Sequence, residues 1–214
     1  MIKKLIFDVD DTLIKWEHIF SILTVENAFK DLKIPYNLEL INKVNEAINN
    51  YEDKYKYYKK DLLLKHINFV CNSNFSNEFI DKYLENCATL AVPKKLPDDE
   101  IKTLEYLSSK YELVCLSNWF ADVQSKRLEK VNILKYFSKI IGTENIKVKP
   151  YEESFINASL PEDKKNCAMV GDNLSIDILG ALNVGIKAFY ITDKKINLEN
   201  CICIKNVSEL KNYL

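Results

Sequence analysis

Four short stretches of this 214-residue chain hold residue types that can do chemistry at close quarters. Asp8-Val9-Asp10-Asp11-Thr12 follows the apolar run Leu5-Ile6-Phe7, and Ser117-Asn118-Trp119 follows Leu113-Val114-Cys115-Leu116. Lys149-Pro150 closes the 138–148 region, and Gly171-Asp172-Asn173 follows Cys167-Ala168-Met169-Val170, with Asp177 five residues past Asp172. Carboxylates packed together repel, and one is driven to hold a proton unless a cation intervenes. Asp8, Asp10 and Asp172 are hard oxygen donors of the kind that suit Mg²⁺, an ion that keeps several waters and shares its shell with phosphate oxygens. Lys149 offers a compact positive charge able to neutralise a phosphoryl oxygen. Ser117 and the backbone N–H of Asn118 offer neutral donors.

Such a set works only if the four stretches meet, so the intervening elements must position them. Beyond Pro93 and Pro97 the pattern alternates. Helices are expected at 98–109, 121–131, 151–159 and 175–183, and strands at 111–116, 138–141, 166–170 and 186–191. With a first strand at Lys4-Leu5-Ile6-Phe7, strands and helices of this length indicate βαβ units and a parallel sheet. Ligands of such sheets bind beyond the carboxyl ends of the strands, where all four stretches fall.

Residues 14–96 have a different character, with four helical patterns and no convincing strand. The first helix sets Ile19, Ile22, Leu23, Val25 and Phe29 on one face, and the second sets Leu38, Ile41, Val44, Ala47 and Ile48. A third is expected to run from Tyr51 through Val70, and a fourth from Asn77 to Leu90. The expected fold class is α/β, a Rossmann-like parallel sheet flanked by helices, with an all-helical domain inserted after the first strand. Residues 1–13 and 97–214 form the core, and 14–96 the helical domain.

Composition narrows the function. Lys+Arg 30 against Asp+Glu 31 leaves a net charge of −1, which argues against a partner that is a nucleic-acid polymer. The 4 glycines all lie at or beyond Gly142, so neither a P-loop nor a Gly-rich dinucleotide turn can be built before it. The two histidines, His18 and His66, form no zinc pattern. Six cysteines without a CxxC pair and the absence of any membrane-length apolar run read as a reduced, soluble, cytoplasmic protein with no membrane partner.

Taken singly, each stretch has a plainer reading. Asp10 and Asp11 could serve a turn, Ser117-Asn118 a helix start, and Lys149-Pro150 a loop corner, while Asp177 falls where an early helical turn favours an acid. Taken together, in this order, they resemble the four motifs of the haloacid-dehalogenase-like superfamily, and the helical insert resembles that family's cap. The resemblance implies a Mg²⁺-dependent phosphomonoester hydrolase of a small phosphorylated metabolite, such as a sugar phosphate, a nucleotide or a phosphoglycolate-like molecule. Asp8 would be the nucleophile that forms an aspartyl-phosphate, and Asp10 the acid and then the base. Thr12, Ser117, Asn118 and Lys149 would bind phosphate. Asp8, the backbone carbonyl of Asp10, Asp172 and, through water, Asp177 would hold the metal.

A haloacid dehalogenase, a phosphomutase and a non-catalytic binding protein are the alternatives on the same fold. Asp11 stands where many members of the family carry Gly. Trp16 and Trp119 are candidates for the substrate pocket. Tyr51, Tyr55 and Tyr58 read as a packing stripe of the helical insert, and His18 as a polar helix-face residue.

Overall fold

The computed structural model describes residues 1–214. Six parallel strands form one sheet in the order β3-β2-β1-β4-β5-β6. They are β1 (Lys4–Phe7), β2 (Glu112–Leu116), β3 (Lys139–Ile141), β4 (Cys167–Gly171), β5 (Lys187–Ile191) and β6 (Cys201–Ile204). Both faces of the central strands are covered, so β1 and β4 are buried at every residue and read as unbroken apolar runs. β1 pairs with β2 on one side and β4 on the other, with Phe7 opposite Cys115 and Val170. That register brings the residues following three strands to one edge. The chain order changes sides at β1, which makes the edge beyond β1 a topological switch point.

Five strands match the alternation read from the sequence, and β6 is an addition. It is a four-residue edge strand whose Cys201 and Cys203 turn to the same side, toward Tyr190 and Leu198. Helices α5 (Asp98–Ser108), α6 (Ala121–Lys130) and α7 (Glu152–Ser159) connect the strands near their expected limits. The expected helix 175–183 instead starts as one wide π-helical turn, Leu174–Ile178, before closing into the short α8 (Leu179–Asn183).

Between β1 and α5 lie α1 (His18–Asp31), α2 (Leu38–Tyr55), α3 (Lys60–Cys71) and α4 (Asn77–Leu90). They enclose an apolar core of their own, centred on Val25, Phe29, Val44, Leu63, Ile67 and Phe79. Phe120, Val123 and Val148 join it from the sheet side. Two details differ from the sequence reading. The buried face of α1 is Phe20, Thr24, Val25, Ala28 and Phe29, and Ile19 is 46% exposed. Two adjacent rows, one of Phe20, Thr24 and Ala28 and one of Val25 and Phe29, form the buried face, with Phe29 reaching α4, where Phe79 lies 5.0 Å away between ring centroids.

The expected helix from Tyr51 through Val70 is also two helices, because α2 ends at Lys56 in the left-handed region (φ 59°). Residues 56–59 then dock on the core. The Tyr58 N–H donates to the Thr143 carbonyl at 2.9 Å, and the Val148 N–H donates to the Lys56 carbonyl at 2.9 Å. These contacts outweigh the helical pattern and carry Tyr58 off the helix, while its ring still packs 5.1 Å from that of Tyr51.

Truncating a fully buried ring leaves a cavity that the surroundings fill only in part. Phe29→Ala is expected to lower stability by about 3–5 kcal/mol. Ile19→Ala should change it by less than ~1 kcal/mol. Urea denaturation of both variants tests which face of α1 is buried.

Candidate active site

Beyond the carboxyl edge of β1, Asp8 begins a tight turn. Its N–H donates to the Val170 carbonyl at 2.9 Å, and Leu13 and Ile14 both donate to Val9 O at 2.9 Å. Within that turn Asp11 takes φ 61°, a conformation glycine adopts freely and aspartate tolerates better than most residues. Its carboxylate accepts from the Trp16 N–H at 3.1 Å. This gives Asp11 a local role at the entry to the helical insert.

Asp8, Asp10, Ser117, Asn118, Lys149, Asp172 and Asp177 line one pocket of about 230 Å³. At its floor the Lys149 ammonium, 2% exposed, donates to Asp8 Oδ1 at 2.5 Å and to Asp177 Oδ1 at 2.7 Å. Burial opposes the charge on Lys149, but Asp177 and Asp8 together outweigh it and hold the ammonium above its ordinary value. Asp8 is pushed from 3.8 up to about 8, first by burial, against Lys149, with Asp177 and Asp10 adding repulsion. Burial and then Asp177 also raise Asp172.

One lysine therefore does not balance this set of acids. Oxygens of Asp8, Asp172 and Asp177 lie within 4.8 Å of one another. Three hard donors with surplus negative charge are a donor set that fits a small divalent cation.

Local structure explains how Asp177 gets there. Asn173 caps the π-helical turn by accepting from the Ser175 and Ile176 N–H groups, each at 3.1 Å. The wide turn swings Asp177 back, so that its Oδ2 accepts from the Asn173 N–H at 3.0 Å. A Cβ at Gly171 would stand 2.5 Å from the Asp177 Cβ, so the glycine makes room for that carboxylate.

Other residues singled out in the sequence are placed as follows. Thr12 does not face the pocket; its hydroxyl donates to Asp172 Oδ1 at 3.2 Å. The Ser117 Oγ accepts from Gln124 Nε2 at 2.8 Å and keeps its own proton to donate. The Asn118 side chain accepts from the Lys149 N–H at 2.7 Å and donates to the Lys149 carbonyl at 2.9 Å, fixing that backbone from both sides. Trp16 and Trp119 line a second cavity of about 370 Å³ beside the first. His18 is exposed at the start of α1.

Three site residues escaped the sequence reading. Arg127 is the single arginine among 30 basic residues and is almost fully buried. Its Nη1 donates to Asp10 Oδ1 at 2.5 Å and its Nε to the Ala91 carbonyl at 2.9 Å. Its guanidinium carbon lies 5.1 Å from the Trp16 ring. Gln124 Nε2 donates to Asp10 Oδ2 at 2.7 Å, so both oxygens of Asp10 are held from α6. Glu52 enters from α2, its Oε1 accepting from Asn118 at 3.0 Å and its Oε2 from the Tyr58 hydroxyl at 3.3 Å. A lone arginine in a lysine-rich chain was a usable signal for Arg127, because a buried carboxylate partner favours the guanidinium fork. Nothing in the helical pattern of α2 distinguished Glu52.

The pH dependence of stability follows from Asp8. Its folded-state value lies above its ordinary one, so between about pH 4 and pH 8 the folded protein binds more protons than the unfolded chain. Stability of the metal-free protein should therefore fall as pH rises through that window. Thermal unfolding with chelator is expected to show the Tm of Asp8→Asn gaining on wild type from pH 5 to pH 8.

The chain resembles known proteins over most of its length. Among curated relatives, the pyrimidine 5'-nucleotidase YjjG of Escherichia coli is 23% identical over 86% of this chain and 84% of its own length. The glyceraldehyde 3-phosphate phosphatase of Methanothermobacter thermautotrophicus is 22% identical over the full length of both. Among solved structures, the HAD-hydrolase YfnB of Bacillus subtilis bound to magnesium superposes with a TM-score of 0.73 at 20% identity, covering 99% of this chain and 97% of that one. The family model for haloacid dehalogenase-like hydrolases matches residues 5–191, from β1 through β5, and the chain belongs to that family.

Proposed function

We propose that the protein hydrolyses phosphate monoesters of small metabolites through an aspartyl-phosphate on Asp8. The observation that carries this reading is the position of Asp10. Its side chain borders both the pocket that holds Asp8 and the adjoining 370 Å³ cavity, so it lies between a nucleophile and the space for a leaving group. A dehalogenase has no need of a second acid there. The sequence similarity to a nucleotidase and a sugar-phosphate phosphatase supports the same reading.

In this mechanism Asp8 Oδ attacks phosphorus and the ester oxygen departs into the larger cavity. Asp10 gives that oxygen a proton, then takes one from the water that cleaves the acyl-phosphate. Gln124 and Arg127 orient Asp10 for both transfers. Ser117 and the Lys149 ammonium stabilise charge on the phosphoryl oxygens, and Asn118 keeps Lys149 in place. Asp8, Asp172, Asp177 and the Asp10 carbonyl would hold Mg²⁺, with Thr12 steadying Asp172. The ion would offset the repulsion between the anionic nucleophile and the anionic phosphate.

Phosphate release from p-nitrophenyl phosphate and a panel of phosphorylated metabolites tests the proposal. Activity with Mg²⁺ is expected to vanish with chelator. Asp8→Asn should lower kcat by at least ~10⁴-fold. Asp10→Asn should lower it by about 10²–10⁴-fold. Halide release from chloropropionate that survives chelation, with no phosphate release, would overturn the reading.

A further inference from the structure

Three side chains border both the catalytic pocket and the larger cavity: Asp10, Asn118 and Glu52. A phosphomonoester with its phosphate over Asp8 and its leaving group in the larger cavity must pass its first carbons between them. Two of the three are already balanced. Asp10 is paired with the buried guanidinium of Arg127, and Asn118 is neutral. Glu52 is the exception.

Its partners, Asn118 and Tyr58, are both uncharged donors. The Lys149 ammonium is taken by Asp8 and Asp177. The ammonium of Lys56 lies 3.7 Å from the exposed Asp53 carboxylate and makes no bond to Glu52. Burial raises the Glu52 carboxyl, and the two hydrogen bonds with the charges of Lys149 and Lys56, neither of them bonded to it, offset this only in part. The cavity behind it is walled by aromatic rings, among them Trp16, Trp119 and Tyr83, with the amides of Asn45 and Asn49. Rings and amides receive uncharged, hydroxylated groups, and the cationic side chain on the wall, Arg127, is already paired with Asp10.

We propose that Glu52 selects the leaving group: the enzyme takes phosphomonoesters with an uncharged, hydroxyl-bearing carbon next to the ester carbon and rejects those with a carboxylate there. A hydroxyl at that position donates to the Glu52 carboxylate. A carboxylate at the same position meets a like charge in a site with little water to screen it, and such repulsion is an efficient means of discrimination. Arg127 cannot rescue the anion, because its Nη1 is engaged by Asp10 and Gln124 and its Nη2 is sealed from solvent. This inference rests on the phosphatase reading and sharpens its substrate class.

The test compares 2-hydroxyethyl phosphate with phosphoglycolate, which differ only in the group on the carbon beside the ester carbon. With Mg²⁺, wild type is expected to favour the hydroxyl substrate in kcat/KM by at least ~10-fold. Glu52→Gln keeps the shape and the acceptor for Asn118 while removing the charge. It should bring the ratio within about threefold, mainly through a lower KM for phosphoglycolate. Glu52→Asp should restore the preference in part, and thermal unfolding of each variant shows that it is folded.

A wild-type ratio near one, or a ratio that Glu52→Gln leaves unchanged, overturns the selection while the phosphatase reading stands on turnover of p-nitrophenyl phosphate. No phosphate release by wild type from any of the three overturns both.

Discussion

The site is organised around one buried positive charge in a surplus of negative ones. The Lys149 ammonium lies out of water between Asp8, which follows β1, and Asp177, which follows β4. Removing the lysine would leave two carboxylates without their shared cation in a medium that solvates them poorly, so three chain segments are bound to one geometry. The supports around this pair are secondary to it. Asn118 grips the Lys149 backbone, the π-helical turn swings Asp177 inward, and Gly171 leaves room for it. Because one ammonium does not balance the acids around it, the arrangement is a stable scaffold with an unmet demand for positive charge. A divalent cation of the kind proposed above would meet that demand.

The helical insert contributes in a different currency. The sheet edge supplies charge and hydrogen-bonding groups that face phosphate. The insert, together with α6, supplies walls: rings, amides and one carboxylate that face whatever the phosphate is attached to. Asp10 lies where the two meet, and its two oxygens are fixed by Gln124 and Arg127, both on α6. Chemistry and selection are thereby separated by a single row of side chains. The walls can change without disturbing the charge balance at Lys149.

Most of the sheet-edge constellation was legible in the sequence because its residues follow strands, and apolar strand runs are conspicuous. Asp8, Asp10, Ser117, Lys149 and Asp172 could be named from their places after those runs. Features set by long-range contacts were not legible. The break between α2 and α3 is imposed by hydrogen bonds to residues 143 and 148, so local helical periodicity read straight through it. Glu52 looks like any polar position on an amphipathic helix until α2 is laid against Asn118. Thr12 sits beside the nucleophile in sequence, yet its hydroxyl turns to Asp172. Only Arg127 carried an overlooked signal, as the sole guanidinium in a lysine-rich chain.

The corner between α2 and α3 is fastened to the core by two backbone hydrogen bonds, Tyr58 N–H to Thr143 and Val148 N–H to Lys56. Side chains fasten it too, with Lys59 donating to Asn145 and Tyr58 packed on Trp119 and Phe120. A peptide hydrogen bond is indifferent to the side chain that its residue carries, proline aside. The two backbone bonds can therefore survive a change of side chain at Tyr58, although its packing cannot. Tyr58 stands 4.7 Å from Trp119 and 5.1 Å from Tyr51 between ring centroids, so it ties the corner both to the core and to α2. Tyr58 also lines the larger cavity, so the same ring that docks the corner shapes the space next to Trp119, and a replacement there changes anchorage and cavity together.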